Sequence, residues 1–477
     1  MENDKKLHIA MFPWLAFGHI IPYLELAKLI AQKGHFISFI STPNNIDRLP
    51  KLPSNIAPLI KFVKLTLPNN YQDKLPPNAE ATSDVPKDIV PYLKHSYDGL
   101  QKQLSEFLED SNPDWIIYDF TPYWLPPITA KLSISTAFFC ILFTSILCIL
   151  GPSATAMITG DDPRNKPEDF TVPPKWVPFP TNQAYRLYQA KHIFNDHFGV
   201  NPSGVSDMFR AGSIISGCDL IVLRTCLELQ MESKWVELTG KLHQKPVVPI
   251  GLLPPSLSIS EHDDDNHMDK GDDTWLNIRN WLDKQKNGSI VYVAFGSEVT
   301  LGHEDLTELA LGLEESGLPF FWALKKPKLV ESLELPIGFE KRTKDRGLVW
   351  TGWVPQYKIL GHKSVGVFLT HCGWGSTIEA LHFGHALVML PFLIDQGLVA
   401  RYLEEIKVGI EIPRNEEDGR FTRNEVSESL RLVLLTEEGK TYKDNANEIS
   451  KIFGDKELHQ RYIDDFVEHL QNHKRAK

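Results

Sequence analysis

Residues 7–41 read LHIAMFPWLAFGHIIPYLELAKLIAQKGHFISFIS. The segment begins with the apolar run Leu7–Phe12, which has the length and composition of a buried strand. A helical pattern follows over about Tyr23–Lys33 and is ended by Gly34, and His35–Ser41 is a second strand-like run. A strand, a helix and a strand in this order predict a βαβ unit, and therefore a parallel sheet.

The same alternation continues through most of the chain. Further strands are predicted before residue 252 at Ile60–Leu65, Trp115–Tyr118, Ala137–Phe139, Asp219–Leu223 and Val247–Ile250. After residue 274 they are predicted at Ser289–Phe295, Phe320–Leu324, Leu348–Thr351, Val365–Leu369 and Ala386–Leu390, with a helix around Asp305–Ser316. We therefore predict an α/β protein made of two doubly wound, Rossmann-like domains.

An acid-rich segment separates the two α/β regions. Glu261–Asp273 holds seven acidic residues and one lysine, a composition typical of a solvated, flexible linker. We accordingly divide the chain into residues 1–251, a linker at 252–274, residues 275–455, and a C-terminal segment at 456–477. The last segment has a helical pattern with apolar residues at four-residue spacing. We expect this helix to pack back on the N-terminal domain.

The composition excludes several classes of protein. Apolar residues make up 42% and charged residues 23% of the chain, which is typical of a globular protein and not of disorder, collagen or a coiled coil. The net charge of −11 is opposite in sign to the basic surface that nucleic-acid binding requires. The most apolar run, Ala137–Leu150, is 14 residues long, whereas a membrane span needs about 20. We interpret it as a buried strand and the start of a buried helix.

Other motifs narrow the chemistry. Five cysteines without a C-x-x-C pair favour neither a disulfide framework nor a thiolate zinc site, and they indicate a reducing, cytoplasmic location. No G-x-G-x-x-G follows a strand, and the G-K-T at 439–441 lacks the first glycine of a P-loop. The D-x-D of Asp263–Asp265 lies in the acid-rich linker, where solvated charge explains it better than a metal site. We expect no metal and no other cofactor.

Two strand ends in the N-terminal half carry residues suited to proton transfer. His19 follows the first strand, and Asp119 directly follows the predicted strand Trp115–Tyr118. Because parallel strands end at one edge of a sheet, Asp119 could accept a hydrogen bond from Nδ1 of His19 and stabilise its protonated form. His19 would then act as a general base, since imidazole titrates near neutral pH. The alternatives are a structural histidine and an aspartate that only caps the following segment.

A second segment, Trp353–Gln396, contains a strand end with the features of an anion site. A predicted strand ends there in THCGWGS at 370–376, and a helix follows. The two glycines allow close approach of the backbone to a ligand, and the start of a helix favours a phosphate. His371 and Ser376 could each hydrogen-bond phosphate oxygens. Glu379 could contact a ligand or only complete a capping box with Ser376.

Trp353–Gln396 resembles the signature box of plant UDP-dependent glycosyltransferases, a family acting on small secondary metabolites. It has W-x-P-Q at its start, H-C-G-W-x-S in its middle and D-Q at its end. The G-H at 18–19, Asp119 and the F-G-S at 295–297 also fall where that family has them, so the resemblance covers essentially the whole chain. It implies the GT-B fold, two Rossmann-like domains facing each other across a cleft. The N-terminal domain would hold the acceptor and the C-terminal domain the UDP-sugar.

The resemblance also implies individual roles. The donor site would comprise Ser297, Trp353, Val354, Gln356, His371, Trp374, Gly375, Ser376, Glu379, Asp395 and Gln396. By role these include Trp353 and Gln356 for uracil, Glu379 for ribose, His371, Ser376 and Ser297 for the diphosphate, and Trp374, Asp395 and Gln396 for the sugar. Gly375 stands where the family usually has Asn, so backbone or water must replace one side-chain contact near the phosphate.

The implied reaction is a metal-independent, inverting displacement at the anomeric carbon of the sugar. His19 would take the proton of the acceptor hydroxyl, and Asp119 would stabilise the imidazolium. Trp14 and Phe17 flank the base and would bind the acceptor, or they are ordinary core aromatics. The run FPWLAFGH at 12–19 resembles the branch that extends sugars already attached to a flavonoid or terpenoid. We therefore expect a glycoside acceptor, and a monomeric enzyme.

Three alternatives stay open. Gln396 is usual in the glucose users of the family, which favours UDP-glucose, but rhamnose users occur in the same branch. Transfer to a free aglycone hydroxyl is a second acceptor class. From outside the enzyme class, a nucleotide-sugar-binding protein without catalysis would have no need for His19 together with Asp119.

Overall fold

The computed structural model describes residues 6–68, 74–254, 274–325 and 334–475, except the side chains of residues 196 and 197. Within these residues the chain forms two units. The first comprises the described parts of Met1–Ala184, Ala190–Leu253 and Lys456–Lys477, and the second those of Tyr185–Gln189 and Pro254–Asp455. The acidic run Glu261–Asp273, including Asp263–Asp265, lies outside the described residues.

The first unit is built on a seven-stranded sheet in which every neighbouring pair is parallel. Its strands are β1 (His8–Phe12), β2 (Phe36–Ser41), β3 (Ile60–Lys64), β4 (Trp115–Tyr118), β5 (Ser135–Cys140), β6 (Leu220–Leu223) and β7 (Val247–Pro249). Their order is β3-β2-β1-β4-β5-β6-β7. The chain therefore continues to one side after β1 and to the other side after β4. The strand order reverses between these two strands, the position where such sheets bind ligands.

The second unit repeats this design with six strands. They are β8 (Ile290–Ala294), β9 (Phe320–Ala323), β10 (Gly347–Trp350), β11 (Val365–Thr370), β12 (Ala386–Met389) and β13 (Gly409–Glu411). The order is β10-β9-β8-β11-β12-β13, again parallel throughout. Here the order reverses between β8 and β11. Two parallel sheets with helices confirm the predicted α/β class with two Rossmann-like domains.

Helices connect the strands in both units. In chain order they are α1 (Phe17–Gln32), α2 (Pro43–Asp47), α3 (Val90–Asp98), α4 (Gln101–Ser111), α5 (Leu125–Lys131), α6 (Ser145–Leu150), α7 (Leu187–His197), α8 (Asp207–Gly217), α9 (Glu232–His243), α10 (Thr274–Leu282), α11 (His303–Ser316), α12 (Phe339–Thr343), α13 (Gln356–Leu360), α14 (Trp374–His382), α15 (Gln396–Glu405), α16 (Arg423–Leu435), α17 (Glu437–Phe453) and α18 (Lys456–Asn472). Short 3₁₀ segments lie at Ala57–Leu59, Thr82–Asp84, Lys87–Ile89 and Pro167–Phe170, and a π turn at Ser153–Met157.

The sequence prediction misplaced one helix start and missed one strand. α1 begins at Phe17, six residues before the predicted Tyr23, so Pro22 lies inside it. Proline removes a backbone donor from a helix interior, so a helix that contains Pro22 is not evident from the sequence. The three-residue edge strand β13 was not predicted. The run Ala137–Leu150 does form a buried strand and a buried helix, β5 and α6, as predicted.

The C-terminal helix α18 packs into the core of the first unit. Ile463, Phe466 and Leu470 are fully buried and belong to the same apolar cluster as β1 and β4. The indole Nε1 of Trp115 in β4 donates to the backbone oxygen of Leu470 at 2.9 Å. α18 therefore covers one face of the first sheet although the whole second unit precedes it in the chain.

We expect Phe466→Ala to lower the free energy of unfolding of the first unit by about 3–5 kcal/mol, the usual loss for a buried phenylalanine. Urea unfolding followed by near-ultraviolet circular dichroism measures this change. Glu468→Ala is the matched control, because Glu468 is an exposed residue of the same helix. An equal midpoint for the two variants would contradict the packing of α18 described above.

Candidate active site

His19 and Asp119 meet where the first sheet reverses its strand order. β1 and β4 pair in register, with Phe12 opposite Tyr118, so their carboxyl ends are level. His19 lies in the first turn of α1 and Asp119 directly follows β4. The imidazole Nδ1 lies 2.7 Å from Asp119 Oδ2. The structure therefore brings the two residues together, with His19 on a helix rather than on the loop that the sequence predicted.

The carboxylate of Asp119 is almost fully buried, at 2% exposure. Its Oδ2 also accepts the backbone N–H of Trp14 at 3.0 Å, and its Oδ1 accepts that of Phe120 at 2.8 Å. An ionised carboxylate can only accept hydrogen bonds, so the nitrogen of His19 that faces it, Nδ1, carries the hydrogen. Nε2 is therefore the basic nitrogen of the ring. Asp119 thus binds the backbone after it, as the capping alternative expected, and orients His19 as well.

The aromatic residues around His19 differ in accessibility. Trp14 is only 3% exposed, and its ring packs edge-on against Tyr97. Phe17 is half-buried, with the guanidinium of Arg48 4.7 Å from its ring centroid. Phe120, which the sequence analysis did not select, is half-buried with its ring 5.8 Å from that of His19. Its position next to Asp119 was the signal that could have identified it.

The second site occupies the corresponding place in the second sheet. Gly296 and Ser297 follow β8, and His371 follows β11, the two strands between which the order reverses. Gly296 has a φ of +68°, and a Cβ there would lie 2.8 Å from His371 Nε2. Cys372 takes a left-handed φ of 64°, which a side chain rarely adopts. The glycine and the turned backbone let the two loops close around the imidazole.

His371 is a buried, neutral histidine at the start of a helix. It is 7% exposed, and its Nδ1 has no hydrogen-bond partner among the described residues. Burial lowers its pKa from 6.5 to about 4, so the ring is uncharged at neutral pH. α14 begins three residues later at Trp374. A buried polar nitrogen beside the positive end of a helix suits an anionic ligand.

Three predicted donor residues form one hydrogen-bonded group. Nε2 of Gln356, the first residue of α13, donates to Glu379 Oε2 at 2.7 Å and to Ser376 Oγ at 3.1 Å. Tyr292, which the sequence analysis missed, donates to Gln356 Oε1 at 3.3 Å. The capping-box alternative for Glu379 is wrong, because the helix N-cap is Gly373 and Ser376 is the third residue of α14.

The remaining predicted donor residues lie in two environments. Trp353 is 73% exposed, and Val354 beside it is half-buried. Trp374 is buried with its ring edge-on to Phe453, so it presents little ring surface to a ligand. Gly375, partly exposed, is the second residue of α14.

Asp395 and Gln396 lie at the start of α15. Both are buried, and Asp395 is the N-cap of the helix. Gln396 Oε1 accepts the backbone N–H groups of Phe392 and Leu393, each at 2.9 Å. Ile394 in this loop has a φ of 29°, in the left-handed region, as Cys372 does in the loop after β11. The loop that precedes α15 is therefore closed on itself by the Gln396 side chain.

One cation near the anion site was also missed. Lys325 follows β9 and its Nζ donates to the backbone oxygen of Ser297. Its place at the end of a predicted strand, on the same edge as Ser297, was the available signal. In the part of the chain that the structure describes, no three His, Cys, Asp or Glu side chains gather as metal ligands, and no helix is long and apolar enough to cross a bilayer.

Comparisons with known proteins agree on one family. Residues 253–477 match the family model described as UDP-glucoronosyl and UDP-glucosyl transferase. UDP-glycosyltransferase 91A1 of Arabidopsis thaliana is 51% identical, with 98% of each chain covered. Soyasaponin III rhamnosyltransferase of Glycine max is 46% identical, over 99% of this chain and 97% of the relative.

Solved structures support the fold. The structure of Glycyrrhiza uralensis UGT73P12 complexed with glycyrrhetinic acid 3-O-monoglucuronide matches with a TM-score of 0.80 at 21% identity. The match covers 98% of this chain and 96% of that one. The two Rossmann-like domains are thus those of a GT-B fold.

The buried neutral state of His371 makes the stability of the protein depend on pH. In the unfolded chain this ring is protonated below about pH 6.5, whereas in the folded chain it is protonated only near pH 4. The free energy of unfolding therefore falls as the pH falls from 6.5 toward 4. We expect the buried His371 to lower the free energy of unfolding by about 2 kcal/mol when the pH is changed from 7 to 5. Urea unfolding of parent and His371→Gln at both values measures it, and histidine-selective NMR gives the pKa directly. An equal loss in the two proteins, or a ring titrating near 6.5, would contradict the assignment.

Proposed function

The chain belongs to the plant UDP-glycosyltransferases, within the UDP-glucoronosyl and UDP-glucosyl transferase family. We propose that it transfers a hexose from a UDP-sugar to a sugar hydroxyl of a flavonoid or terpenoid glycoside. The hydrogen bond of 2.7 Å between His19 Nδ1 and Asp119 Oδ2 carries this proposal. A protein that only binds a nucleotide sugar has no use for an oriented base at a strand end.

His19 acts as the general base. The acceptor hydroxyl gives its proton to Nε2 while its oxygen forms a bond to the anomeric carbon of the sugar. The bond from that carbon to the β-phosphate oxygen of UDP breaks on the opposite face, so the configuration is inverted and UDP leaves with the electron pair. Asp119 holds the ring in the required tautomer and stabilises the imidazolium that forms.

The nucleotide binds at the second reversal point. Trp353 offers an exposed ring for stacking on uracil, with Val354 and Gln356 beside the base. Glu379, which already accepts a hydrogen bond from Gln356, accepts others from the ribose hydroxyls. These contacts hold UDP by groups that do not change during the reaction.

The diphosphate binds to the loops after β8 and β11. Nε2 of His371, on the ring edge that faces Gly296 and Gly373, donates to a diphosphate oxygen. Ser297, Ser376 and the first N–H groups of α14 surround the other oxygens. Gly375 contributes backbone only. Since the leaving group gains negative charge as the sugar departs, these fixed donors stabilise the transition state more than the ground state.

The sugar of the donor binds near the start of α15. Asp395 and Gln396 contact its hydroxyls, and Trp374 contributes through its backbone, because its ring is buried. UDP-glucose is the favoured donor on the basis of Gln396. UDP-rhamnose is the second candidate, since a relative of 46% identity bears the name of a rhamnosyltransferase.

The acceptor is a glycoside rather than a free aglycone. The run at 12–19 supports this choice, as does the monoglucuronide bound in the related Glycyrrhiza uralensis structure. Phe17 and Phe120 offer half-buried rings near His19, whereas Trp14 supports them from the core. We further propose that the enzyme works as a monomer in the cytoplasm, where its five buried free cysteines stay reduced.

Loss of the base should abolish transfer without weakening the donor. We expect His19→Ala and Asp119→Asn to lower kcat by about 10²–10⁴-fold and to leave the KM for the UDP-sugar within about threefold, because the donor residues lie in the second unit. His303→Ala, an exposed histidine in α11, is the control. Product formation is measured by mass spectrometry.

The substrate assignment is tested in the same assay, with EDTA present. UDP-glucose, UDP-rhamnose and UDP-galactose are each combined with flavonoid and terpenoid aglycones and with their monoglucosides. Transfer to the monoglucosides alone supports the proposal. Equal transfer to free aglycones would overturn the acceptor class, and a His19→Ala enzyme as fast as the parent would overturn the mechanism.

A further inference from the structure

Five residues of the second unit interrupt the sequence of the first. Tyr185–Gln189, here called the strap, packs with the second unit, although residues 184 and 190 belong to the first. The strap follows no motif of the donor box and has no role in the reaction as described so far. Its side chains nevertheless converge on the elements that flank Asp395 and Gln396.

Arg186 pairs with two acidic residues, Glu411 and Glu416, that follow the C-terminal end of α15. Its Nε lies 3.0 Å from both carboxylate oxygens of Glu411, whose side chain is buried, and its Nη1 donates to Glu416 at 2.8 Å. The backbone N–H of Glu411 in turn donates to Glu404 Oε1 at 2.9 Å, in the last turn of α15. Arg186 thus supplies a positive charge beside the buried Glu411 and the partly buried Glu404, which lie next to each other.

Tyr188 connects the strap to the loop before α15. Its ring lies under the guanidinium of Arg414, at 4.7 Å, and against Gly419, where a Cβ would come within 2.7 Å of it. Arg414 also donates to the backbone oxygen of Pro391 at 2.7 Å and stacks over Phe392 at 5.1 Å. Pro391 and Phe392 are the residues from which the chain turns toward Asp395.

Gln189 meets the first turn of α15 directly. Its buried amide is held by two hydrogen bonds. Oε1 accepts the backbone N–H of Arg186 at 3.0 Å, and Nε2 donates to the Tyr188 hydroxyl at 3.1 Å. A Cβ built on Gly397 would lie 2.5 Å from Gln189 Oε1. Gly397 is the residue after Gln396, so a side chain at position 397 would displace the Gln189 amide, whereas the helix by itself would favour alanine there.

From these contacts we infer that the strap positions the sugar-binding residues: it holds α15 at both ends and, through Arg414, the loop Pro391–Gln396. Arg186, Tyr188 and Gln189 are therefore positioning residues for recognition of the donor sugar, and not for recognition of the nucleotide. The inference rests on the proposed function, since it assumes that Asp395 and Gln396 bind the sugar.

The test compares the affinities for UDP and for a UDP-sugar, measured by calorimetry. We expect Arg186→Ala to weaken binding of UDP-glucose or UDP-rhamnose, whichever the parent binds more tightly, by about tenfold or more, a loss of about 1.4 kcal/mol. Binding of UDP should change less than threefold. Arg420→Ala is the matched control, because Arg420 is an exposed arginine of the loop that follows Glu416, and its side chain pairs with the exposed Asp418. A proportional loss for both ligands would overturn the inference.

A double-mutant cycle keeps the inference testable if Arg186→Ala does not fold. Gly397→Ala should displace the Gln189 amide and weaken sugar-dependent binding, as should Gln189→Ala, which removes the contact. In the double variant the new methyl group fills the space left by the amide, so it should bind the UDP-sugar better than either single variant. Additive losses would overturn the inference. A parent chain that binds neither UDP nor a UDP-sugar would instead overturn the proposed function.

Discussion

The strands of each sheet all run in one direction, and this constraint fixes where chemistry can occur. In a parallel sheet every strand must be followed by a connection that returns over a face of the sheet. Where successive connections leave in opposite directions, the strand ends between them are not covered. The first sheet has this arrangement at β1 and β4, and the second at β8 and β11. The two groups of polar side chains described above lie at these two places.

The two places use opposite electrostatic means. In the first sheet a buried carboxylate accepts two backbone N–H groups and the Nδ1–H of the His19 imidazole. In the second sheet the imidazole of His371 is kept neutral by burial next to the start of a helix. In the proposed mechanism the first imidazole gains the proton of the acceptor, whereas the second stays uncharged beside the diphosphate. Their difference arises from the neighbours of each ring and not from the residue type.

The sequence was sufficient to predict most strands and the residues at their ends, because buried parallel strands are short apolar runs with polar residues after them. The strand predicted at Trp115–Tyr118, for example, has the same bounds in the structure. Three features could not be predicted. The start of α1 was hidden by Pro22, the left-handed turns at Cys372 and Ile394 depend on tertiary packing, and the strap joins residues more than 200 positions apart in sequence.

The packing of α18 into the first unit has a consequence for synthesis of the chain. When residue 253 leaves the ribosome, the first sheet is complete, but the apolar face that Phe466 and Leu470 cover is still exposed to solvent. At about 5–20 residues per second, that face waits for tens of seconds while the entire second unit is made. During this interval the nascent first unit exposes an apolar face to solvent, and α18 covers that face once it has been made.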